Sequence, residues 1–159
     1  MKLTVAAILG SAFLVGANAN CLTYKDASTI ATNFGLLVSN YSQALANLTL
    51  TPNFVDYSES VNSLIDNGGT SPKALLGQTV SSRASYESAS AAQPSVPFMV
   101  KNLWYTCDTI TARWESDQSP QPVIGISVFH TVLAAVGTAA KGTNYKVRMR
   151  ANELNPDHF

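Results

Sequence analysis

His130 is the residue whose type and position most directly suggest chemistry. It follows Val128 by two positions and Ile126 by four, so on a β-strand its imidazole points to the same side as these apolar side chains. A partly buried imidazole can accept or donate a proton near neutral pH, which is what a general acid–base catalyst does. The alternative is a structural histidine that is hydrogen-bonded at the end of a strand.

Asp56 and Tyr57 form the second candidate for chemistry. The Asp56 carboxyl could work with His130 as an acid–base pair, and the Tyr57 hydroxyl could donate a hydrogen bond to a carbonyl oxygen. Alternatively, Asp56 caps a short helix that begins near Ser58. His130 and His158 are the only histidines, so no metal-site spacing occurs, and the chain has no phosphate loop, dinucleotide fingerprint or nucleophile elbow. The sequence therefore predicts neither a metal nor a cofactor.

Residues 1–19 have the pattern of a secretory signal peptide. Met1-Lys2 is a short basic start, residues 3–16 are an apolar run, and Ala17-Asn18-Ala19 is a small-residue cleavage site. The apolar run is shorter than the roughly 20 residues that a membrane-spanning helix needs. The sequence therefore predicts a secreted protein without a membrane span, and residues 20–159 have a length that suits a single domain.

The charge balance argues against one class of partner. The chain has 10 Lys and Arg residues against 10 Asp and Glu residues, and only 13% of its residues are charged. A nucleic-acid-binding protein needs clustered Lys and Arg to neutralise phosphates, so no nucleic acid partner is expected. A modest basic stripe near the end of the chain is expected to be a solvated strand face. It consists of Lys141, Lys146, Arg148 and Arg150.

Two cysteines and two glycosylation sequons are consistent with export. In an oxidising compartment Cys21 and Cys107 favour one disulfide bond over two free thiols, and that bond would close a loop of about 86 residues. The sequons begin at Asn40 and Asn47, and on a single helix both side chains would project from the same side.

Helices are predicted in the first part of the chain. Apolar residues at spacings of three and four predict one long amphipathic helix that is capped by Asp26 and ended by Pro52. A short helix is expected from Ser58 to Asp66, and a third from Ser82 to Ala92.

Strands are predicted in the second part, because the apolar period changes to two after Pro97. This alternation predicts a hairpin over residues 98–115 with its turn at Asp108-Thr109, followed by strands over residues 123–132 and 145–150. Helices followed by antiparallel strands predict an α+β domain whose helices pack on one face of the sheet.

Several stretches in this order resemble the secreted nuclear transport factor 2-like (SnoaL-like) proteins that are common in filamentous fungi. The resemblance covers residues 22–155, although the small-residue loop after Leu133 and the basic last strand depart from the apolar ending of the family. The stretches that carry it are Ala31–Gly35, Asn40–Leu45, Asp56–Asn62, Trp104–Trp114 and Glu153–Asn155.

The resemblance implies a cone, in which a strongly curved antiparallel sheet wraps against three helices and encloses an apolar pocket. The superfamily includes dehydratases, ketosteroid isomerases, polyketide cyclases and non-enzymatic binding or dimerising modules, so the fold alone does not decide the function. It also implies that the segment around Asp56 lies near the mouth of the pocket, and that the strand face carrying His130 lines its wall.

Three hypotheses follow. The first is a secreted protein that holds a small apolar molecule, with His130 or Tyr57 orienting a polar atom of the ligand. The second is a cofactor-free dehydratase, isomerase or cyclase that uses His130 and Asp56. The third is an extracellular, effector-like interaction protein that dimerises through its sheet. In the first, the expected pocket walls are Phe98, Trp104, Trp114, Ile126 and Val128.

Overall fold

The computed structural model describes residues 21–58, 77–117 and 122–154 of the chain. The residues of the expected signal peptide, most of the short helix expected at 58–66, and His158 lie outside these ranges. Within them, no helix is long and apolar enough to cross a membrane. The helices are α1 (Tyr24–Ser39), α2 (Gln43–Thr49) and α3 (Arg83–Ala91), and the strands are β1 (Leu50–Ser58), β2 (Met99–Tyr105), β3 (Thr109–Ser116), β4 (Val123–Leu133) and β5 (Tyr145–Leu154).

The first helical region is two helices rather than the single long helix that was expected. α1 ends at Ser39, and α2 begins after Ser42, whose hydroxyl oxygen accepts a hydrogen bond from the backbone N–H of Leu45. A serine in this position competes with helix continuation because it satisfies the exposed donors of a new first turn. The exposed Asn40 and Asn47 therefore lie on separate elements, Asn40 at the end of α1 and Asn47 in α2.

The start of α1 is a capping box formed by Thr23 and Asp26. Thr23 is the N-cap and Asp26 occupies the third helical position, so the expected cap at Asp26 lies three residues too late. Burial alone would raise the pKa of Asp26, but the hydrogen bonds from the Thr23 side chain and backbone outweigh it and hold this pKa below its usual 3.8. The charged form of Asp26 therefore favours the folded state.

We expect Thr23→Ala to lower the free energy of unfolding by about 1 kcal/mol, because the capping interactions are lost. The stabilisation that Asp26 contributes is present above its unfolded pKa of 3.8 and is lost as the pH falls through its lower folded pKa. Urea unfolding at pH 7 and at pH 3 measures both effects. A difference between the parent and Thr23→Ala that stays constant over this pH range would contradict the coupling.

The five strands form one curved sheet in the order β1-β5-β4-β3-β2. β2 to β5 are antiparallel neighbours, as expected, but β1 pairs with β5 in parallel, so the sheet is mixed. β1 and β5 come from opposite ends of the chain, and no short turn constrains their relative direction. Pro52, which was expected to end a helix, lies in β1 where the pairing register shifts between Leu50 and Val55.

The two faces of the sheet have different surroundings. Ile110 and Ala112 of β3 and Phe129 of β4 belong to the hydrophobic core with Phe34 of α1, whose ring centroid lies 4.9 Å from that of Phe129. We call this helix-covered side the inner face. The alternate residues of β3 and β4 are less buried and point to the outer face, on the opposite side of the sheet.

The predicted disulfide bond is confirmed: Cys21 is bonded to Cys107. It joins the segment before α1 to the turn between β2 and β3, and the backbone N–H of Leu22 donates to the carbonyl oxygen of Cys107 at 3.1 Å. The bond therefore fastens the first helix to the sheet across 86 positions of sequence.

Candidate functional site

A buried ion pair lies on the inner face, between the edge strand β1 and its neighbour β5. Nε of Arg150 donates to Oδ1 of Asp56 at 2.8 Å, and Nη2 donates to Oδ2 at 2.6 Å. Both residues are buried, and their strands β5 and β1 place them directly opposite one another. Asp56 is thus neither a free acid nor a helix cap, but one half of a two-pronged pair in the core.

Aromatic rings surround this ion pair. The guanidinium carbon of Arg150 lies 4.8 Å from the ring centre of Phe34, within the range of a cation–π contact. Tyr86 of α3 is buried beside Phe34 and Phe54, and its pKa is raised, first by burial. Burial opposes the charge on Arg150, but the charge and hydrogen bonds of Asp56 outweigh it and raise the Arg150 pKa. Arg150 is therefore charged and Tyr86 is neutral at physiological pH.

The next row of the inner face contains three small residues and Asn152. Across the sheet, Ala112 of β3 pairs with Ser127 of β4, and Ser127 pairs with position 152 of β5. Position 152 in turn pairs with Ser58 of β1. All three of these small residues are fully buried. These residues place two serine hydroxyls and one methyl group on the inner face, next to the ion pair.

A stacked aromatic pair lies on the side of this row that is away from the ion pair. The rings of Phe98 and Trp114 lie 4.8 Å apart with an interplanar angle of 25°, and Nε1 of Trp114 donates to Oγ of Ser127 at 3.0 Å. Gly125 lies under the indole, and a Cβ built there would overlap Cζ2 of Trp114 and lie 2.6 Å from Cε2. The missing side chain at Gly125 is thus what lets the indole lie flat against β4.

We expect Gly125→Ala to lower the free energy of unfolding by about 1–3 kcal/mol, because the indole must leave its position over β4. Thermal unfolding combined with near-ultraviolet circular dichroism checks this, since the Trp114 signal should change as well. The neighbouring inner-face change Ser127→Ala is the control, because it removes the hydrogen-bond acceptor of Trp114 without crowding the indole. An unchanged midpoint and spectrum for Gly125→Ala would contradict the close contact.

His130 points away from this cluster. Its neighbour Phe129 faces the core, so the imidazole lies on the outer face, where Nδ1 is 3.3 Å from Oγ1 of Thr109. The Thr109 hydroxyl in turn donates to Oδ1 of Asp108 at 2.9 Å. Asp56 and His130 therefore lie on opposite faces of the sheet and are not brought together.

The expected pocket walls divide between the two faces. Phe98 and Trp114 form the inner-face stack. Trp104 and Ile126 are instead 55% and 47% exposed, and Val128 lies on the same outer face. The sequence expectation grouped the apolar residues of β4 as inward, whereas the structure turns Gly125, Ser127 and Phe129 inward. Because side chains alternate with a period of two, a one-residue error in this choice exchanges the two faces.

Tyr57 is separate from the ion pair as well. It is half-buried, and its hydroxyl oxygen accepts a hydrogen bond from Nε2 of Gln78 at 3.2 Å. It follows Asp56 directly in β1, so the two side chains point to opposite faces of the strand.

Arg150 is the site residue that the sequence reasoning missed. It was expected in a solvated basic stripe, but Arg150 and Lys146 are buried, and Nζ of Lys146 donates to the carbonyl oxygen of Asn47 at 2.8 Å. The pairing of β4 with β5 shifts between His130 and Thr131, which reverses the alternation of β5. That reversal turns Arg150 inward. Its exposed neighbour Arg148 and Lys141 remain on the surface as expected.

Within the described ranges, no group of three or more His, Cys, Asp or Glu side chains is placed to hold a metal ion. The polar groups that the inner face offers are therefore the Asp56–Arg150 pair, the Tyr86 hydroxyl and the serine hydroxyls of the small-residue row. They are few, and the rings of Phe34, Phe54 and Trp114 lie beside them.

The fold is shared with several solved structures. A protein proposed to be a ketosteroid isomerase, from Kribbella flavida, matches with a TM-score of 0.58 and 10% identity over 84% of this chain and 81% of its own. A SnoaL-like protein of unknown function from Burkholderia thailandensis matches with a TM-score of 0.57 and 12% identity over 85% and 98% of the two chains. A protein proposed to be a polyketide cyclase, from Bacillus cereus, matches with a TM-score of 0.51 and 15% identity over 82% and 74%.

These identities are low, so the similarity shows the fold and not the activity. No curated protein matches the chain in sequence. The family model of the NTF2-like domain matches residues 20–156, which is most of the chain and includes every residue of the inner-face cluster. With this match and the mixed curved sheet packed against helices, the chain is a member of the NTF2-like domain family.

Proposed function

We propose that the protein binds a small, largely apolar molecule over the inner face of its sheet. The observation that carries the proposal is the row of small residues Ala112, Ser127 and Ser58, which lies between the Asp56–Arg150 pair and the Phe98–Trp114 stack. An apolar surface with a few fixed polar groups is the usual composition of a small-molecule site. The neighbours in fold include proteins proposed to be a ketosteroid isomerase and a polyketide cyclase.

The binding test uses fluorescence of Trp114, which lies beside the row. In a Trp104→Phe background Trp114 is the only tryptophan, and 2-isopropenylnaphthalene serves as an apolar probe. We expect the probe to quench Trp114, and Ala112→Val to abolish quenching because the added methyl groups fill the floor of the row. Thr111→Val places the same side chain on the outer face of β3 without adding bulk to the inner face, and is the control. Absence of quenching in the folded parent, or equal quenching in both variants, would contradict the proposal.

A second candidate function is self-association through the outer face. Trp104 and Ile126 are large apolar side chains that are about half exposed, and Val128 lies near them on the same face. Thr111 and Arg113 of β3 lie between Trp104 and the two β4 residues, and exposed apolar side chains on one face are typical of protein interfaces. We propose that a second copy of the chain covers this face, because the same patch on both copies can pair around a two-fold axis.

Light scattering after size-exclusion chromatography tests the association. We expect a dimer for the parent and a monomer for Trp104→Ser/Ile126→Arg, since a buried unpaired charge disfavours the interface. Val136→Ser is the control, because Val136 is fully exposed in the loop between β4 and β5, away from this face. A strictly monomeric parent at high concentration would remove this candidate.

We also propose that the protein is secreted, and that its glycans lie on α1 and α2. The support is the pattern of residues 1–19, the disulfide bond and the exposure of Asn40 and Asn47. Mass spectrometry of the protein from culture medium should show an N-terminus at Asn20 and a mass that decreases on enzymatic deglycosylation. An N-terminus at Met1 would overturn the signal peptide, and an unchanged mass would overturn the glycans.

A further inference from the structure

The loop between β4 and β5 forms a cavity that is separate from the inner face of the sheet. Its volume is about 460 Å³, which is within the range of small-molecule sites, and all of its lining residues lie between Leu133 and Asn144. We call it the loop cavity. Ala140 of its lining is buried and Val136 is fully exposed, so the cavity extends from the base of the loop to the surface.

The loop has a fixed shape because its ends and its turns are held in place. The backbone N–H of Ala134 donates to the carbonyl oxygen of Asn144 at 2.9 Å, which closes the loop at its base. Gly137 and Gly142 have φ values of 76° and 97°, which other residues rarely adopt. A Cβ built on Gly142 would lie 3.5 Å from Oγ1 of Thr29, so this turn rests against α1. These contacts define the loop cavity before any ligand binds.

The side chains around the loop cavity favour an anion with a hydrocarbon part. Six of the eleven lining residues are Leu, Val or Ala, and Lys141 is the one charged residue among the eleven. A Cβ built on Gly142 would lie 3.9 Å from Cε of Lys25, so a second exposed cation lies beside the cavity. An anionic group is attracted by both lysines, and a hydrocarbon group gains from contact with the apolar side chains.

Backbone donors add to the preference for an anion. The N–H groups at positions 135–137 and 139–142 make no hydrogen bond within the described part of the chain. Consecutive backbone N–H groups in turns form concave surfaces that attract anions. Asp26 is the acidic residue near this loop, where Thr143 lowers its pKa, but its carboxylate already accepts hydrogen bonds from the backbone and side chain of Thr23.

We propose that the loop cavity binds a small carboxylate with a short hydrocarbon chain. The carboxylate pairs with Lys141, and the chain contacts the alanine methyl groups of the loop. The site shares no residue with the inner face, so this inference goes beyond the proposed function and does not depend on it. Because both parts of the ligand contribute, a neutral alcohol and a hydrophilic anion should each bind more weakly.

Three probes separate the charge from the hydrocarbon chain. They are hexanoate, 1-hexanol and inorganic phosphate, each titrated into protein labelled with ¹⁵N-glycine. Among the nine glycines of the chain, Gly137 and Gly142 report on the loop cavity, and Gly125, which lies under Trp114, reports on the inner face. We expect hexanoate to shift the amide resonances of Gly137 and Gly142 with a Kd of about 1 mM, and the other two probes to bind about three- to fivefold more weakly.

A pair of variants tests the role of the lysine. Lys141→Gln should weaken hexanoate binding about three- to fivefold and leave 1-hexanol binding unchanged, since it removes one exposed ion pair. Lys101→Gln is the matched control, because Lys101 is an exposed lysine of β2 outside the loop cavity, and it should bind hexanoate like the parent.

Several results would overturn the inference. They are unshifted Gly137 and Gly142 resonances, hexanoate binding no tighter than that of 1-hexanol or phosphate, and an unchanged hexanoate affinity in Lys141→Gln. A hexanoate-induced shift confined to Gly125 would also overturn it, but this shift would support binding over the inner face.

Discussion

Asp56→Ala is expected to lower the free energy of unfolding by about 3–5 kcal/mol, because it leaves the Arg150 guanidinium buried without its partner. The ion pair itself contributes less than this loss, since both groups had to leave water to form it. Most of the effect is the cost of an unpaired charge among Phe34 and Tyr86. Urea unfolding at pH 7 measures it.

The control is the removal of both charges together. We expect Asp56→Leu/Arg150→Met to be within about 1–2 kcal/mol of the parent, or more stable, because apolar side chains of similar size can fill the same space. The double variant should thus be clearly more stable than Asp56→Ala. If Asp56→Ala unfolds at the parent's urea concentration, the ion pair is not buried in solution.

Loss of the disulfide bond is the other large effect. We expect Cys21→Ser/Cys107→Ser to lower the free energy of unfolding by about 4 kcal/mol, because the bond closes a loop of 86 positions and restricts the unfolded chain. Urea unfolding with and without a reducing agent measures the effect in the parent. The reducing agent should leave the double variant unchanged, which makes that variant the control. A parent whose stability is the same when reduced would contradict this expectation.

Elements whose signal is local could be predicted from the sequence. Ser82 caps α3 with a capping box, and alternation over residues 98–115 marks the β2–β3 hairpin. The disulfide bond followed from the number of cysteines and from the expected export. In each case neighbouring residues, or a simple count, carry the information.

Elements that depend on pairing between distant strands could not be predicted in the same way. β1 was not expected as a strand, because its partner β5 lies near the other end of the chain. The helices that cover the sheet decide which side of β4 faces inward. The sequence alone therefore led us to expect His130 on the inner face, whereas Phe129 lies there and His130 lies on the outer face.

For the same reason, only one residue of the candidate ion pair was identified from the sequence. Asp56 was a candidate because the family resemblance placed its segment near the mouth of the pocket. Arg150 did not, because the register shift near Thr131 that turns it inward has no local signature. A pair of opposite charges separated by 94 positions becomes recognisable only when both strands are placed.

The parallel pairing of β1 with β5 has a consequence for how the protein is made. The chain is synthesised from its N-terminus, so β1 leaves the ribosome well before β5. Until then β1 lacks its strand partner, and Asp56 lacks Arg150. Cys107 emerges earlier, so the bond to Cys21 can close before the sheet is complete. The sheet can therefore be completed only once β5 has left the ribosome, and a nascent chain stopped before β5 should remain sensitive to proteases.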